Sequence, residues 1–172
     1  SDVCSSDLTL EQVVPTLFEA GRDPFLVILD GITDVRNFGA IARTCECTGV
    51  DAIVIFEQNS VSVTADAVKT SAGALSRVAV CREPSIERAI DYLKQSGVKL
   101  VGASEKASEL LYDCDMKGPL ALVMGAEDKG LSEYAIRQCD HLTRIPLYGE
   151  IGSLNVSVAT GVLLYEAVRQ KR

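Results

Sequence analysis

The run Phe25-Leu-Val-Ile-Leu29, apolar at every position and closed by Asp30-Gly31, constrains this chain more than any other feature. A half-exposed strand alternates apolar and polar residues. An unbroken apolar run fits a strand covered on both faces, as in a parallel sheet flanked by helices. Similar runs recur at Ala52 to Phe56, Val78 to Cys81 and Leu120 to Met124, and Val98 to Ala103 and His141 to Pro146 also read as strands. Helical patterns separate them. Leu10, Val13, Val14, Leu17 and Phe18 follow helical spacing, with Pro15 inside the pattern and Thr9/Gln12 as a capping box. Further helices are expected from Asn37 to Thr48 (stopped by Gly49), over 64–75, from Ser85 to Gln95, from Ser132 to Gln138, and from Ser153 to about Gln170. Strands alternating with helices predict an α/β fold: a mostly parallel sheet with helices on both faces. A length of 172 residues suits one domain with its own core.

Bulk properties narrow the function classes. Apolar residues make up 47% and charged residues 24%, ordinary for a globular chain. No apolar run approaches the ~18 residues of a membrane span, no secretory signal is recognisable, and no membrane partner is expected. The six cysteines form no CxxC pair, which predicts reduced thiols and a cytoplasmic location. His141 is the only histidine, so zinc sites needing two histidines are excluded and no metal is expected. The net charge of −7 argues mildly against nucleic-acid binding, although basic residues can cluster locally. Arg169, Lys171 and Arg172 form such a cluster and also suit a helix C-terminus.

In parallel α/β sheets, ligands bind beyond the C-terminal strand ends. Three loops there carry polar residues: 30–37, 125–130 and 147–152. In the helix after the first loop, Phe38, Ile41, Ala42 and Cys45 make an apolar stripe, Arg43 points almost opposite, and Asn37 suits the N-cap. The second loop, Gly125-x-Glu127-x-x-Gly130, lacks the Gly-Lys-Ser/Thr of a P-loop and the spacing of a dinucleotide fingerprint. Its carboxylates suit a ligand offering donors or positive charge. The third leads into a helix whose Val156, Ala159, Thr160, Leu163, Leu164, Ala167 and Val168 supply a wide apolar face.

Three motifs on these loops carry a resemblance. Asn37-Phe-Gly39-Ala-Ile-Ala-Arg43-Thr44 matches an N-x-G-A-x-x-R-T core. Val123-Met124-Gly125-Ala126-Glu127-Asp-Lys-Gly130 matches V-M-G-x-E-x-x-G. Ile145-Pro146-Leu147 followed by Ser153-Leu154-Asn155-Val-Ser-Val-Ala159 matches a third. Together, in this order, they resemble the SpoU/TrmH family of RNA ribose 2′-O-methyltransferases, within the SPOUT superfamily. The wording is closest to the branch acting on guanosine of large-subunit (23S) rRNA. The resemblance spans about residues 25–170.

The resemblance implies a C-terminal trefoil knot, which chain physics alone would not propose, and a homodimer. It implies S-adenosylmethionine as cofactor, bound by Gly125, Ile145 and Leu154 with Met124, Ala126 and Leu147 lining the pocket. Arg43 matches the catalytic arginine, supported by Asn37, Glu127, Ser153 and Asn155. The implied reaction is methyl transfer to a ribose 2′-OH of structured RNA. The alternatives are a tRNA ribose methyltransferase and a non-catalytic RNA-binding module. Residues 1–24 read as a tail and linker-like helix, and 25–172 as the methyltransferase domain, without the N-terminal RNA-recognition domain that relatives usually carry. Arg36 and Arg169 are candidate RNA contacts.

Overall fold

Seven strands form one sheet in the order β3-β2-β1-β6-β4-β7-β5, and every pairing is parallel. These are β1 (Phe25–Asp30), β2 (Ala52–Phe56), β3 (Ala79–Glu83), β4 (Lys99–Ala103), β5 (Glu109–Leu110), β6 (Leu120–Gly125) and β7 (His141–Arg144). Among the described residues the helices are α1 (Leu10–Glu19), α2 (Val35–Thr48), α3 (Ile86–Gln95), α4 (Glu133–Gln138) and α5 (Val156–Lys171). A computed structural model describes residues 8–57, 73–74 and 77–172. The helix expected over 64–75 lies outside the described residues except for Gly73 and Ala74, as do Cys4 and the rest of the tail before Leu8.

The two-residue period of the strands sorts their side chains into two cores. Val27, Leu29, Ile53, Ile55, Leu122 and Met124 pack beneath α2 and α5. Leu26, Ile28, Val54, Leu100 and Val123 pack beneath α1, α3 and α4. Helices on both faces explain why the central strands β1, β2 and β6 are apolar almost throughout. In α2, the stripe Phe38, Ile41, Ala42 and Cys45 is buried as its spacing predicts. Gly161 of α5 faces α2, where an added Cβ would lie 3.5 Å from Thr44 Cγ2, so the two helices cross closely there. Helix α1 is part of the body: Leu10 and Val14 are buried, and the Leu10 N–H donates to Glu83 Oε2 at 2.7 Å. Pro15 is accommodated at an exposed position within α1.

Several boundaries differ from the sequence reading for local reasons. The last helix begins at Val156, not Ser153, because Asn155 is its N-cap: Asn155 Oδ1 accepts from the N–H groups of Ser157 and Val158 at 2.9 and 3.3 Å. Likewise Asp34, not Asn37, caps α2, with its Oδ1 accepting the Asn37 N–H at 2.9 Å. Strand β7 stops at Arg144 ahead of Pro146, which has no N–H to give a neighbouring strand. The short edge strand β5 and the 3-10 turn Leu111–Asp113 went unpredicted, since two residues are too few for a periodic signal.

Candidate functional site

The C-terminal ends of β1 and β6 lie side by side, with Asp30 paired in register with Gly125. Their loops, the start of α2 and the start of α5 enclose an open cleft of about 520 Å³. Asp30, Asp34, Asn37, Glu127, Asp128 and Val156 are among its lining residues. Its chemistry is dominated by oxygen acceptors, which suits a ligand that donates hydrogen bonds.

Three hydrogen bonds tie these loops into one unit. Asp30 Oδ2 accepts the Ser132 N–H at 2.7 Å, fixing the first loop to the start of α4. Glu127 Oε2 accepts the Val156 N–H at 3.0 Å, fixing the second loop to the start of α5. Asn155 Nδ2 donates to Asn37 Oδ1 at 3.2 Å, fixing α5 to α2. A carboxylate at the N-terminus of α5 also complements the helix dipole. The Asn155 amide works at both ends: its oxygen caps α5 while its nitrogen reaches Asn37. The Ser157 hydroxyl also contacts Asn155 Oδ1.

Of the residues singled out in the sequence, Asn37, Ala126 and Glu127 meet in the cleft, with Asn155 bonded to its wall. Met124 is buried at the end of β6. Gly125 is half-buried and has no room for a side chain: a Cβ there would come within 2.4 Å of the Gly130 carbonyl carbon. The Gly130 N–H closes this turn by donating to the Ala126 carbonyl at 2.7 Å. Ile145 packs against the core shared by Met124 and Val156. Leu147 and Leu154 remain 39% and 36% exposed, unusual for leucines on loops anchored this closely. Ser153 is exposed and precedes the helix.

Arg43 stands apart. It is exposed on α2, does not line the cleft, and has no hydrogen bond or ion pair with a described residue. Six residues beyond Asn37, it lies about 9 Å further along the helix and is turned by about 120°. Its chain neighbour Thr44 faces Gly161 of α5. That helix has a second apolar face, exposed through Val158 (52%) and Tyr165 (55%). Tyr148 and Ile151, in the loop before it, are 91% and 81% exposed.

Arg169 is committed elsewhere: its guanidinium binds both oxygens of the buried Glu166, at 2.9 and 2.8 Å. Gln170 joins that pair and bridges to the Cys114 carbonyl and the Met116 N–H. Sequence reasoning missed Asp34 as the cap of α2, although an aspartate three residues before Asn37 is the usual signal. It also missed the meeting of Glu109, Cys114 and His141, for which no local spacing gives a signal. Cys45 and Cys81 are buried free thiols; burial pushes both up, Cys81 to about 12 with Glu83 adding to the effect. Among the described residues there is no helix long and apolar enough to cross a membrane.

The all-parallel α/β sheet with polar loops at its C-terminal edge, and a last helix tied back over the loop after β6, is shared with solved SpoU methyltransferases, so the fold is that of a SPOUT-type methyltransferase. The model of the SpoU rRNA Methylase family matches residues 24–165, and the chain belongs to that family. It is 46% identical over 149 residues to the 23S rRNA (guanosine-2'-O-)-methyltransferase RlmB of Shewanella oneidensis, covering 87% of this chain and 61% of that protein. It is 41% identical over 161 residues to the RlmB of Yersinia pestis, covering 94% and 65%. The chain thus spans less than two thirds of the length of these relatives. Among solved structures, the SpoU methyltransferase AviRb from Streptomyces viridochromogenes in complex with AdoMet superposes with a TM-score of 0.80 at 30% identity, covering 86% of this chain and 60% of that one. The A. aeolicus TrmH/SpoU tRNA modifying enzyme superposes with a TM-score of 0.78 at 30% identity, covering 95% and 84%.

Proposed function

We propose that this chain transfers a methyl group from S-adenosylmethionine to a ribose 2′-OH of RNA, with a guanosine of 23S rRNA as the favoured target. The observation that carries this reading is the linkage of all three loops at one sheet edge, in a chain similar to named rRNA guanosine 2′-O-methyltransferases. An rRNA substrate also favours a cytoplasmic location, in keeping with the free buried thiols.

The residues present fit the cofactor. An adenosine needs backbone donors and acceptors and an apolar wall. Gly125 and Ala126 offer backbone unobstructed by long side chains, and Leu147 and Leu154 offer exposed apolar surface. Met124 and Ile145 would anchor that wall from the core. Bound there, S-adenosylmethionine would supply an electrophilic methyl on sulfur and would be left as S-adenosylhomocysteine.

The chain's own residues then have separable roles. The ribose hydroxyl is a poor nucleophile, and its proton must leave near the transition state. Arg43, an exposed guanidinium with no partner within the described residues, would clamp the target phosphate and stabilise developing negative charge on oxygen. A guanidinium offers donors and no acceptor, so the proton would pass to a phosphate oxygen or to water instead of to Arg43. Asn37 and Glu127 would orient the ribose from the cleft, Asn155 would hold Asn37, and Ser153 would offer a further hydroxyl from the third loop.

The reading extends to a homodimer and a knot. The exposed face of α5, with Val158 and Tyr165, has the apolar character that a second copy of the chain would cover. Arg43 is adjacent in the chain to the Thr44–Gly161 crossing of α2 and α5, so a second copy on α5 would bring it towards the junction of the two copies. A trefoil knot is supported by the chain's path. After β7, on the far side of β4, the chain returns to pack α5 on α2 and is tied to Glu127 on the way.

The test is transfer of labelled methyl to purified 23S rRNA and tRNA, with mapping of the modified nucleoside. The expected product is 2′-O-methylguanosine in rRNA. Methyl on a base would overturn the ribose assignment. Label confined to tRNA would favour the second reading, a tRNA ribose methyltransferase, which is supported by the 84% coverage of the A. aeolicus enzyme.

A further inference from the structure

Far from the cleft, at the edge of the sheet, Glu109, Cys114 and His141 come together with one ligand atom from each within 4.8 Å of the others. They arrive from three segments: β5, the residue after the 3-10 turn, and the first residue of β7. His141 Nδ1 lies 3.2 Å from Glu109 Oε1. Two ligands about 2.0–2.1 Å from a tetrahedral ion stand about 3.3 Å apart, so this separation matches one edge of a zinc site.

The backbone around the three residues is fixed independently of their side chains. Thr143 Oγ1 donates to the Glu109 carbonyl at 3.2 Å. Gln170 Nε2 donates to the Cys114 carbonyl at 2.9 Å, while Gln170 Oε1 accepts the Met116 N–H at 2.7 Å. Cys114 is buried, whereas the His141 and Glu109 side chains are 37% and 32% exposed, leaving a route for an ion and room for a water as fourth ligand. Lys99, whose charge is felt at Cys114, is drawn off by Asp115 Oδ2 at 3.3 Å and by the Asp115 and Lys117 carbonyls.

We propose that Glu109, Cys114 and His141 bind a borderline-soft divalent transition-metal ion of the zinc class. One sulfur, one nitrogen and one oxygen ligand suit that class, and a thiolate selects against magnesium and calcium. A thiolate and a carboxylate together neutralise the ion's charge, and the thiol proton is released to solvent on binding. The ion clips the two-residue strand β5 and the turn after it to β7. It thereby braces the strand that leads into Ile145 and Leu147. A single histidine suffices because cysteine and glutamate complete the set.

The test is titration of the chain with Co2+, an optical stand-in for Zn2+, followed by competition with Zn2+. A single equivalent of Co2+ is expected to give a thiolate-to-cobalt charge-transfer band and the visible bands of a tetrahedral ion, both removed by Zn2+. Cys114→Ser abolishes the charge-transfer band, and Cys47→Ser, at an exposed thiol, leaves it intact. Glu109→Gln retains the band but weakens binding at least about tenfold, since losing even an outer-shell partner costs about 10–100-fold. Far-ultraviolet dichroism checks that each variant is folded. No charge-transfer band in the unaltered chain, or a band that survives in folded Glu109→Gln at unchanged affinity, would overturn the proposal.

Discussion

Asn155 Nδ2 lies 3.2 Å from Asn37 Oδ1 although 118 residues separate them in the chain. The same Asn155 side chain caps α5 through its oxygen, so one amide both starts the last helix and joins it to α2. These two duties separate cleanly. Asn155→Asp keeps an acceptor for the cap but cannot donate to Asn37. It should retain thermal stability within a few degrees while losing most methyl transfer. Asn155→Ala loses the cap as well, a further cost of about 1 kcal/mol. Thermal melts run beside transfer assays check both, and equal activity in Asn155→Asp and the unaltered chain would dismiss the link to Asn37.

Gly125 is tested by adding a single methyl group. A Cβ there would meet Gly130 backbone atoms at 2.4 and 2.5 Å, and backbone cannot swing aside as a flexible side chain would. Gly125→Ala should destabilise the fold by about 1–3 kcal/mol and displace the 126–130 turn. Denaturant unfolding gives the first, and weakened S-adenosylmethionine binding by calorimetry gives the second.

The outward face of α5 makes a prediction about assembly. Tyr165→Glu puts a charge at a position 55% exposed in the single chain, where monomer stability has little at stake. Sedimentation should find the unaltered chain dimeric and the variant monomeric, with transfer lost alongside dimerisation.

The Glu166 carboxylate predicts a pH dependence. The Arg169 hydrogen bonds hold it below the usual glutamate range, with Gln170 assisting and burial opposing. A depressed carboxylate stabilises the fold above its unfolded pKa, and this is lost as pH falls through the lower folded value. The unaltered chain should therefore melt above Glu166→Gln by about 2–4 °C at neutral pH, the equivalent of roughly 1 kcal/mol at this length. The gap should close on acidification from about pH 5 to about pH 3. Melting curves of both proteins across that range check it.

Much of this architecture is legible in the chain. Strands such as Phe25–Asp30 and Leu120–Gly125 are buried on both faces, so their unbroken apolar runs announce a parallel sheet. The burial of Phe38 and Ile41, and of Leu163 and Leu164, follows directly from helical spacing. Caps were less legible, because Asp34 and Asn37 are both good cap residues and only backbone geometry decides between them. Least legible were contacts between remote segments. Nothing local to Glu109, Cys114 or His141 signals that strand pairing between β5 and β7 brings them together. The placement of Arg43 outside the cleft is of the same kind: its helix face was readable, but what lies beside that face depends on how α5 packs.

The central claim is that the loops after β6 and β7 form one cofactor pocket beside the acidic cleft. Titrating isotope-labelled protein with S-adenosylmethionine, and following backbone amide signals by NMR, tests it most directly. The account predicts that the perturbed amides centre on Gly125 and Ala126, on Ile145 and Leu147, and on Leu154. Perturbations confined to Thr33, Asp34 and Asp128 at the cleft, or an absence of binding, would contradict it.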